Sequence, residues 1–424
     1  MPAVPRVHSM HGFRRFHVQR SVPIIALLLI ICIGFALATG FWLLFRLAYV
    51  LLAAVPLCYL WARFNLSQLD VSVERLIDRA QVGQSTDERI TVRNKGLFPK
   101  VWLEVDDPTT LPGHRAGRVI TLGGRQRRSW RTQAQLTRRG VFTVGPLTLT
   151  SGDPFGLFRV SRQYGRQSSI IVYPPYYDLP HFTVPPANLP GEGRFRKRTH
   201  YVTPNASGVR EYVPGDSFNR IHWRSTARAG KLMVKVFELD PASDIWIVLD
   251  MQGRVQAGSG DESTEEYGVK VAASVARHFL SQNRNVGLML YGERLEIVEV
   301  ERGGQQLTHI LEALAVARAV GDVPVGDLLN VEGKRFGRHT TLVVITPSVD
   351  EAWVLSLLQL TGRGVKVAVA LLEASTFGAN TNPLLVVGAL AAADVWTYLV
   401  KRGDNLSSSL APSGDETVQT PRLS

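Results

Sequence analysis

Two polar residues stand where apolar runs end in the C-terminal half of the chain. Asp250 follows the run at residues 245–249, and Thr346 ends the run at residues 341–346. Both runs have the length and composition of buried strands, and ligands of parallel sheets gather at the carboxyl ends of such strands. A carboxylate and a hydroxyl there could hold a divalent cation that activates water, with a further ligand from elsewhere. The first chemistry to consider is therefore metal-assisted hydrolysis.

Other catalytic patterns are absent from the sequence. It contains no Gly-x-Ser-x-Gly elbow, no Gly-x-x-x-x-Gly-Lys-Ser/Thr phosphate loop and no His-Glu-x-x-His helix. The ten histidines are scattered, and His222 and His278 are expected to be structural or surface residues. We therefore expect a protein that is not an enzyme, with a metal-dependent hydrolase centred on Asp250 as the alternative.

A basic surface is predicted nearer to the N-terminus, in a window that holds no Asp or Glu. A solvated polar face, a docking face for anionic lipid headgroups and a docking face for an acidic protein all explain it. Nucleic acid is the least favoured partner, because the aromatic residues here follow strand patterns and lack the spacing of exposed stacking platforms. The arginines are Arg115, Arg118, Arg125, Arg127, Arg128, Arg131, Arg138 and Arg139.

The composition is that of a folding chain. Its 424 residues are 45% hydrophobic and 20% charged, which excludes wholesale disorder. The net charge of +12 is compatible with nucleic acid, anionic lipid or an acidic protein and does not choose among them. Cys32 and Cys58 both lie in apolar stretches, so a disulfide framework and a cysteine zinc site are excluded. We expect no cofactor.

Two apolar stretches near the start predict a membrane anchor. Residues 22–38 carry no charge, and residues 43–60 carry only Arg46. The length of each stretch is close to the minimum for a helix that crosses a hydrocarbon core of about 30 Å. The connection between them is so short that the two helices can form only an antiparallel hairpin. A cleaved signal peptide ending near residue 38 is the alternative.

The flank of the first span sets the orientation. It is basic and has no acidic residue, which by the positive-inside rule keeps the N-terminus in the cytoplasm. A hairpin then places the C-terminus and the soluble domains on the same side, as in an integral plasma membrane protein with two spans. The flanking cations are Arg6, Arg14, Arg15 and Arg20.

Hydrophobic periodicity divides the rest of the chain. Between residues 68 and 175, apolar and polar residues alternate, as around Ile90 and Val92, which predicts a small antiparallel β-sandwich. Residues 241–402 alternate continuous apolar runs with helical stripes, which predicts a doubly wound α/β domain with a mainly parallel sheet.

Two helices of the α/β domain carry capping signatures. Ser263 with Glu266, and Ser348 with Glu351, have the spacing of capping boxes. The predicted organisation is a basic cytoplasmic N-terminus at 1–21, a transmembrane helical hairpin at 22–62, the β-sandwich at 68–175, a linker with a signature segment at 176–240, the α/β domain at 241–402 and a disordered tail at 403–424.

A charged and aromatic segment lies between the two soluble domains, at residues 208–238. Its Pro-Gly-Asp turn and interspersed charges predict an ion-pair and stacking network that locks the linker onto the α/β domain. A partner-binding face is the alternative. The candidate members are Arg210, Glu211, Tyr212, Gly215, Asp216, Arg220, Trp223 and Arg228.

This segment resembles the signature of the domain of unknown function 58 family, and residues 153–158 resemble the motif that ends the sandwich of that family. The order of anchor, sandwich and α/β domain is similar too, so the resemblance covers nearly the whole chain. It implies a membrane-anchored protein with a von Willebrand factor A-like domain. It also implies a MoxR-type AAA+ ATPase as partner and a role in the chaperone-like assembly or maturation of client proteins.

The resemblance bears on the metal site as well. Von Willebrand factor A-like domains often hold Mg²⁺ with an Asp-x-Ser-x-Ser loop, a Thr and a second Asp. Here the residues after Asp250 include Gln252 and Arg254 in place of the serines, and Pro347 stands where an Asp would be expected. Asp250 and Thr346 therefore form a degenerate candidate, and no metal is expected.

These observations favour a membrane-anchored protein-interaction scaffold or adaptor over an enzyme. The expected partners are membrane lipid, the ATPase and protein clients. A basic adaptor for anionic lipid or nucleic acid through residues 115–139 is the remaining alternative.

Overall fold

The computed structural model describes residues 14–18, 21–75, 78–114, 116–185, 206–213, 221–237 and 244–411. The chain divides into two compact units. The first ends at Pro175 and groups with Leu314–Val316, and the second begins at Tyr176.

Two apolar helices come first, α1 (Ser21–Thr39) and α2 (Trp42–Asn65), with Gly40 between them at φ +65°. By length and composition α2 could cross a membrane, whereas the apolar segment Pro23–Thr39 of α1 is shorter. Large apolar side chains along both helices are exposed, such as Leu37 and Leu57. Exposed apolar surface of this extent marks a site of interaction with a membrane or with another protein.

The rest of the first unit is built from strands. Their bounds are β1 (Arg14–Val18), β2 (Leu69–Arg75), β3 (Arg79–Gln81), β4 (Ser85–Asn94), β5 (Lys100–Asp106), β6 (Arg118–Leu122), β7 (Arg127–Gln135), β8 (Gly140–Val144), β9 (Leu147–Gly152), β10 (Phe158–Tyr164) and β11 (Ser168–Tyr173). They form sheets of order β1-β10-β9-β5-β6, β2-β4-β7 and β3-β11-β8. The pairing of β3 with β11 is parallel, which corrects the prediction of a purely antiparallel domain.

One apolar core joins the two larger groups of strands. Ile90 and Val92 of β4 pack with Leu103 of β5 and Leu149 of β9, as the alternating pattern requires of inward positions. Ala62, near the end of α2, belongs to the same core. The helix therefore ends inside the domain rather than on a free linker.

Buried polar groups fix this junction. The Asn65 side chain accepts from the Val101 backbone N–H at 3.0 Å, donates to the Val101 carbonyl and donates to Ser151 Oγ at 2.7 Å. The ammonium group of Lys100, also buried, donates to the Phe64 carbonyl at 2.6 Å and lies 4.0 Å from the centre of the Phe64 ring. Burial lowers the pKa of Lys100. The Phe64 carbonyl also accepts from the Ser67 N–H and hydroxyl, so the cation adds a favourable charge at the carboxyl end of α2.

The segment between the domains contains β12 (Ala206–Glu211), α3 (Trp223–Ala229) and β13 (Met233–Phe237). β12 and β13 pair antiparallel, with Glu211 opposite Met233. The Thr226 hydroxyl of α3 accepts from the Met233 N–H at 3.0 Å. The described part of the signature is thus a small folded element.

The α/β part of the second unit follows. Its elements are β14 (Asp244–Leu249), β15 (Gly258–Ser259), β16 (Glu262–Ser263), α4 (Thr264–Ser281), β17 (Val286–Tyr291), β18 (Leu295–Glu301), α5 (Gly304–Val316), α6 (Val325–Glu332), β19 (Thr340–Thr346), α7 (Ala352–Gly362), β20 (Lys366–Leu372), α8 (Leu384–Ala392), β21 (Trp396–Val400) and α9 (Leu406–Ser409). The main sheet has the order β18-β17-β14-β19-β20-β21, and its pairs are parallel except β17 with β18. An antiparallel edge strand on a parallel sheet is common in doubly wound folds.

One of the two predicted helix caps is confirmed and the other is wrong. Ser263 Oγ accepts from the Glu266 N–H at 3.3 Å at the start of α4. At the start of α7, Ser348 Oγ instead accepts from the Asp350 N–H, and Asp350 Oδ1 accepts from the Ala352 N–H at 3.0 Å. The N-cap residue of α7 is Glu351, whose side chain makes no cap bond, and Asp350 just before it takes the N–H of the first helical residue.

The C-terminal boundary also differs from the prediction of a disordered tail at 403–424. Helix α9 follows residue 403, its side chains Leu406 and Leu410 are buried, and Ser407 Oγ donates to the Asp178 carbonyl at 2.7 Å. Two apolar residues four positions apart give this short helix a face to bury. Residues 412–424 lie outside the described residues.

Replacing Asn65 tests the junction between α2 and the sandwich. Asn65→Ala removes the side-chain partner of the Val101 backbone and of the buried Ser151 hydroxyl, which should lower the free energy of unfolding by about 1–3 kcal/mol. Urea denaturation of the full chain in mild detergent measures the change. The exposed Gln133→Ala on β7 is the control. Equal unfolding free energies for the two variants would show that the junction does not stabilise the domain.

Candidate functional site

The candidate site lies at the carboxyl edge of the main sheet, where β14 and β19 end side by side. The two strands are parallel, with Leu249 opposite Ile345. One residue further on, the Asp250 N–H donates to the Ile345 carbonyl at 2.9 Å. Asp250 and Thr346 are therefore brought together by strand register, and the sequence prediction that they meet is correct.

Their side chains form a closed pair. The Thr346 hydroxyl donates to Asp250 Oδ2 at 2.6 Å and accepts from the Ser348 N–H at 2.9 Å. The Gln252 N–H donates to Asp250 Oδ1 at 3.0 Å. Both Asp250 and Thr346 are buried. Burial raises the pKa of Asp250 to about 6, and the bonds from Thr346 and Gln252 offset only part of that rise.

The loop after β14 is held by its own polar contacts. Gln256 Nε2 donates to the Asp250 carbonyl at 3.0 Å, and the Thr264 hydroxyl donates to Gln256 Oε1 at 2.6 Å. The Gly253 N–H donates to the Gly321 carbonyl at 2.8 Å. A Cβ at Gly321 would stand 2.4 Å from the Tyr291 carbonyl oxygen, so this close approach requires glycine. These contacts fix the conformation of the loop after β14, and we call this the braced edge of the sheet.

The donor set fits a divalent cation poorly. Such an ion requires several oxygen ligands, whereas each Asp250 oxygen already accepts a hydrogen bond and the nearest partner is the Thr346 hydroxyl. Arg254, where a ligand would be needed, is exposed and cationic. The arrangement can hold or release a proton at Asp250, but a metal would first have to break the pair with Thr346.

The predicted signature network is only partly within the described residues. Gly215, Asp216 and Arg220 lie outside them, as does the side chain of Arg210.

The remaining signature residues are spread over the small folded element. Glu211 Oε1 lies 3.4 Å from Lys231 Nζ, a partner that the prediction did not include. Tyr212 is half-buried, and its backbone N–H donates to the Leu232 carbonyl at 2.8 Å. Trp223 and Arg228 on α3 are exposed.

The predicted basic face is divided between two sheets. β7 carries exposed Arg127, Arg128 and Arg131, whereas exposed Arg118 lies on β6 of the other sheet. Exposed Arg125 and Arg138 flank β7, and Arg115 lies outside the described residues. Arg139 is buried, which corrects its assignment to the exposed face.

Cross-strand pairing concentrates positive charge on the sheet that contains β7. Arg131 stands opposite Arg89 of β4, and Arg127 stands opposite Arg93. All four side chains are exposed. Like charges directly opposite one another destabilise an antiparallel pair. An anion bound between them would remove that cost.

Sequence reasoning missed a buried charged cluster in the sandwich. Arg75 Nε lies 2.6 Å from Glu88 Oε1, Arg75 Nη2 lies 2.9 Å from Asp107 Oδ2, and His114 Nε2 lies 3.4 Å from Glu88 Oε2. Burial raises the pKa of Asp107 to about 6, with Glu88 adding to the rise and Arg75 opposing it. Burial would also raise the pKa of Glu88, but His114 and Arg75 together lower it.

This cluster is the group that could hold a metal ion among the described residues, because Glu88, Asp107 and His114 offer ligand atoms within 4.8 Å of one another. Arg75 already supplies a positive charge to both carboxylates, which is sufficient for a structural ion-pair network. The signal in the sequence was the phase of Glu88, which falls on the inward side of β4 with Ile90 and Val92.

Known relatives agree with part of the resemblance. Residues 208–376 match the family described as protein of unknown function DUF58. The uncharacterised protein YeaD of Bacillus subtilis is 25% identical over 359 residues, which cover 82% of this chain and 87% of the relative. The uncharacterised protein Rv1480 of Mycobacterium tuberculosis is 27% identical over 173 residues, which cover 39% of this chain and 53% of that protein.

Among solved structures, the CARDB domain of a Pyrococcus furiosus protein, solved with di-metal ions, is similar to 24% of this chain, at 14% identity and a TM-score of 0.19. That similarity is too low to carry an argument. The match of residues 208–376 and the Bacillus relative support the resemblance to the DUF58 family.

Asp250 should make the stability of the α/β unit depend on pH. Because its pKa is raised from 3.8 to about 6, the folded state binds the proton more tightly, and stability falls as pH rises between these values. Asp250→Asn cannot titrate, so its stability relative to the native chain should increase by about 2 kcal/mol from pH 4 to pH 7.

Urea denaturation across that pH range measures the difference. The exposed Asp322→Asn is the control and should follow the native curve. A constant offset between Asp250→Asn and the native chain would contradict the raised pKa.

Proposed function

We propose that the protein is a membrane-anchored, non-enzymatic scaffold whose α/β domain docks a protein partner. The observation that carries the proposal is α2: an exposed apolar helix whose last turn is fixed by buried hydrogen bonds to a folded domain. A helix that serves only as a core element would be covered by the rest of the protein.

The proposed anchor is a hairpin of α1 and α2 with both termini in the cytoplasm. Gly40 at positive φ provides a tight connection between the two helices. The cations before residue 21 favour cytoplasmic retention of the N-terminus. Arg46 lies 4.2 Å from the centre of the Trp42 ring, close to the connection, where its charge can reach the headgroups.

The proposed docking surface is the carboxyl edge of the main sheet. We assign this unit a von Willebrand factor A-like fold because its parallel strands alternate with helices and the acid that follows β14 lies beside the Thr that ends β19. Because Asp250 is buried and hydrogen-bonded to Thr346, the groups that can recognise a partner at this edge are its exposed side chains. Arg254 and the Arg402–Glu262 pair, with Nε and Oε2 3.0 Å apart, mark its charged surface.

The proposed partner is a MoxR-type AAA+ ATPase, together with its protein clients. This assignment rests on the resemblance to the DUF58 family and on the braced, charged edge. A metal-dependent hydrolase is less well supported, because both Asp250 oxygens are already hydrogen-bonded.

The two native cysteines make the topology testable. Cys32 lies in α1 and Cys58 in α2, so a cysteine-free chain can carry single reporters at Ser9→Cys or Ser413→Cys. Both reporters should resist a membrane-impermeant maleimide in intact cells and react in inverted vesicles. Alkaline carbonate should leave the chain in the membrane pellet. Labelling of either reporter in intact cells would contradict the proposed topology.

Charge reversal tests the docking edge. The full chain in nanodiscs should bind the purified ATPase of the same genome. Arg254→Glu should weaken binding by about ten-fold, because the new carboxylate would face the acidic group of the partner that we expect opposite Arg254. Arg302→Glu is the matched control, since this exposed residue follows β18 at the opposite edge of the sheet. Equal affinity of the two variants, measured by fluorescence titration, would exclude the carboxyl edge as the docking surface.

A further inference from the structure

Strand register gathers three connections at the end of the sandwich where α2 terminates. Leu69 of β2 stands opposite Asn94 of β4, Lys100 of β5 opposite Leu122 of β6, and β9 leads into β10 after Gly152. The connections at 95–99, 123–126 and 153–157 therefore share one end with Asn65, and we call this the α2 end of the sandwich.

Exposed large apolar side chains concentrate at the α2 end. Leu97 is 68% exposed, Phe98 64%, Trp102 74% and Phe155 75%. Elsewhere on the described strands and turns of the sandwich, the large apolar exposure includes Val141 on β8. A cluster of aromatic and apolar tips on an otherwise polar domain marks an interaction surface.

Buried side chains hold these tips in place. Asn94 donates to the Phe98 and Gly123 carbonyls at 2.8 and 2.9 Å and accepts from the Gly96 N–H at 2.9 Å. Three hydrogen bonds of the Asn94 side chain thus hold the backbone of the turn that carries the exposed Phe98. Its exposure is built into the fold.

The turn that carries Phe155 is fixed by Asp153. Its carboxylate accepts from the backbone N–H groups of Phe155, Leu157 and Phe158 at 2.9, 2.7 and 2.6 Å. These hydrogen bonds stabilise the negative charge of Asp153 within the turn. The apolar ring is what the turn presents to its surroundings.

Trp102 is displayed at the cost of backbone strain. Its φ is +56°, in the left-handed region that bulky residues avoid, and it lies where the register of β5 against β6 shifts between Lys100 and Leu103. Without the bulge, the side chains of β5 would continue to alternate between the two faces of the sheet. Strain of this kind is kept where it serves a site.

The aromatic tips continue the lipid-facing surface of α2. The rings of Phe98 and Phe64 meet edge to face, with centroids 5.8 Å apart. Trp61 and Trp102 line one groove of about 450 Å³ together with Val101 and Val119. Tryptophan at the end of a spanning helix is typical of the membrane–water interface.

Positive charge surrounds the same end. Exposed Arg63 lies in the last turn of α2, Arg125 lies in the turn before β7, and Arg93 faces Arg127 where β4 and β7 approach it. Each basic residue near an anionic leaflet contributes about 1 kcal/mol of attraction. Apolar tips with exposed arginines beside them match an anionic phospholipid surface.

We propose that the α2 end of the sandwich is a bilayer-contact surface, which inserts Leu97, Phe98, Trp102 and Phe155 among the headgroups of the leaflet that α2 leaves. The inference rests on the proposed anchoring of α2. It adds that the folded domain lies against the membrane, so α2 and the sandwich meet the lipid as one unit.

Lipid-borne quenchers test the contact in the full chain. A fluorophore at Phe98→Cys, with Cys32→Ser and Cys58→Ala, is reconstituted into vesicles of phosphatidylcholine and phosphatidylglycerol that carry a spin label near the headgroup. Quenching should be about three-fold stronger than for the same fluorophore at Val141→Cys. If the cysteine-free chain does not fold, brominated lipid and the difference between the native chain and Trp102→Phe give the same readout.

The outcomes separate this inference from the proposed anchoring. Weak quenching at both positions, with the chain still resistant to carbonate, would overturn the bilayer contact and leave the anchor intact. Extraction by carbonate would overturn both. Protection of the Phe98→Cys fluorophore that grows with protein density, without quenching by lipid, would mean that a second copy covers the surface, and would also overturn the inference.

Discussion

The structure of the first unit depends on the burial of the end of α2. Asn65 of the helix pairs with the backbone N–H and carbonyl of Val101 on β5, and Lys100 of β5 donates to the Phe64 carbonyl of the helix. Because each element uses a side chain to bond the backbone of the other, the helix cannot turn without disturbing the sheet. A helix joined in this way transmits its orientation to the domain, whereas a flexible linker would let the domain rotate freely.

The α/β unit solves a similar problem at the other end of its strands. Parallel strands bring an acid and a hydroxyl together at Asp250 and Thr346, an arrangement that elsewhere can hold a metal. Here the hydroxyl donates to the carboxylate at 2.6 Å, and Gln252 supplies the second donor. The edge keeps the arrangement of a metal site, but the Asp250 carboxylate is already hydrogen-bonded within the protein. The outward groups of the edge form the surface that we propose for docking.

Much of this architecture follows from local patterns in the sequence. Alternation at Ile90 and Val92 predicted a half-buried strand, the apolar run after Asp244 predicted a buried one, and Ser263 with Glu266 predicted a helix start. The neighbourhood of Asp250 and Thr346 followed from the rule that parallel strands end at one edge. These features depend on residues close in sequence or on one general rule.

The misses depend on contacts between distant residues. Lys100 looks like a surface residue until the end of α2 covers it, and Arg139 looks like its exposed neighbours until the fold buries it. Glu88 required its partners Arg75 and His114, which come from other strands and turns. Periodicity gives the side on which a residue lies, but not which distant charge meets it there.

The facing arginines of β4 and β7 have a thermodynamic consequence of their own. In the unfolded chain Arg89 and Arg131 are free to separate, whereas the folded sheet holds them opposite each other. Any multivalent anion that bridges them binds the folded form selectively, so by mass action the folding equilibrium follows the activity of that anion. An anion that bridges the two side chains would therefore raise the melting temperature of the sandwich, and more so as its concentration rises.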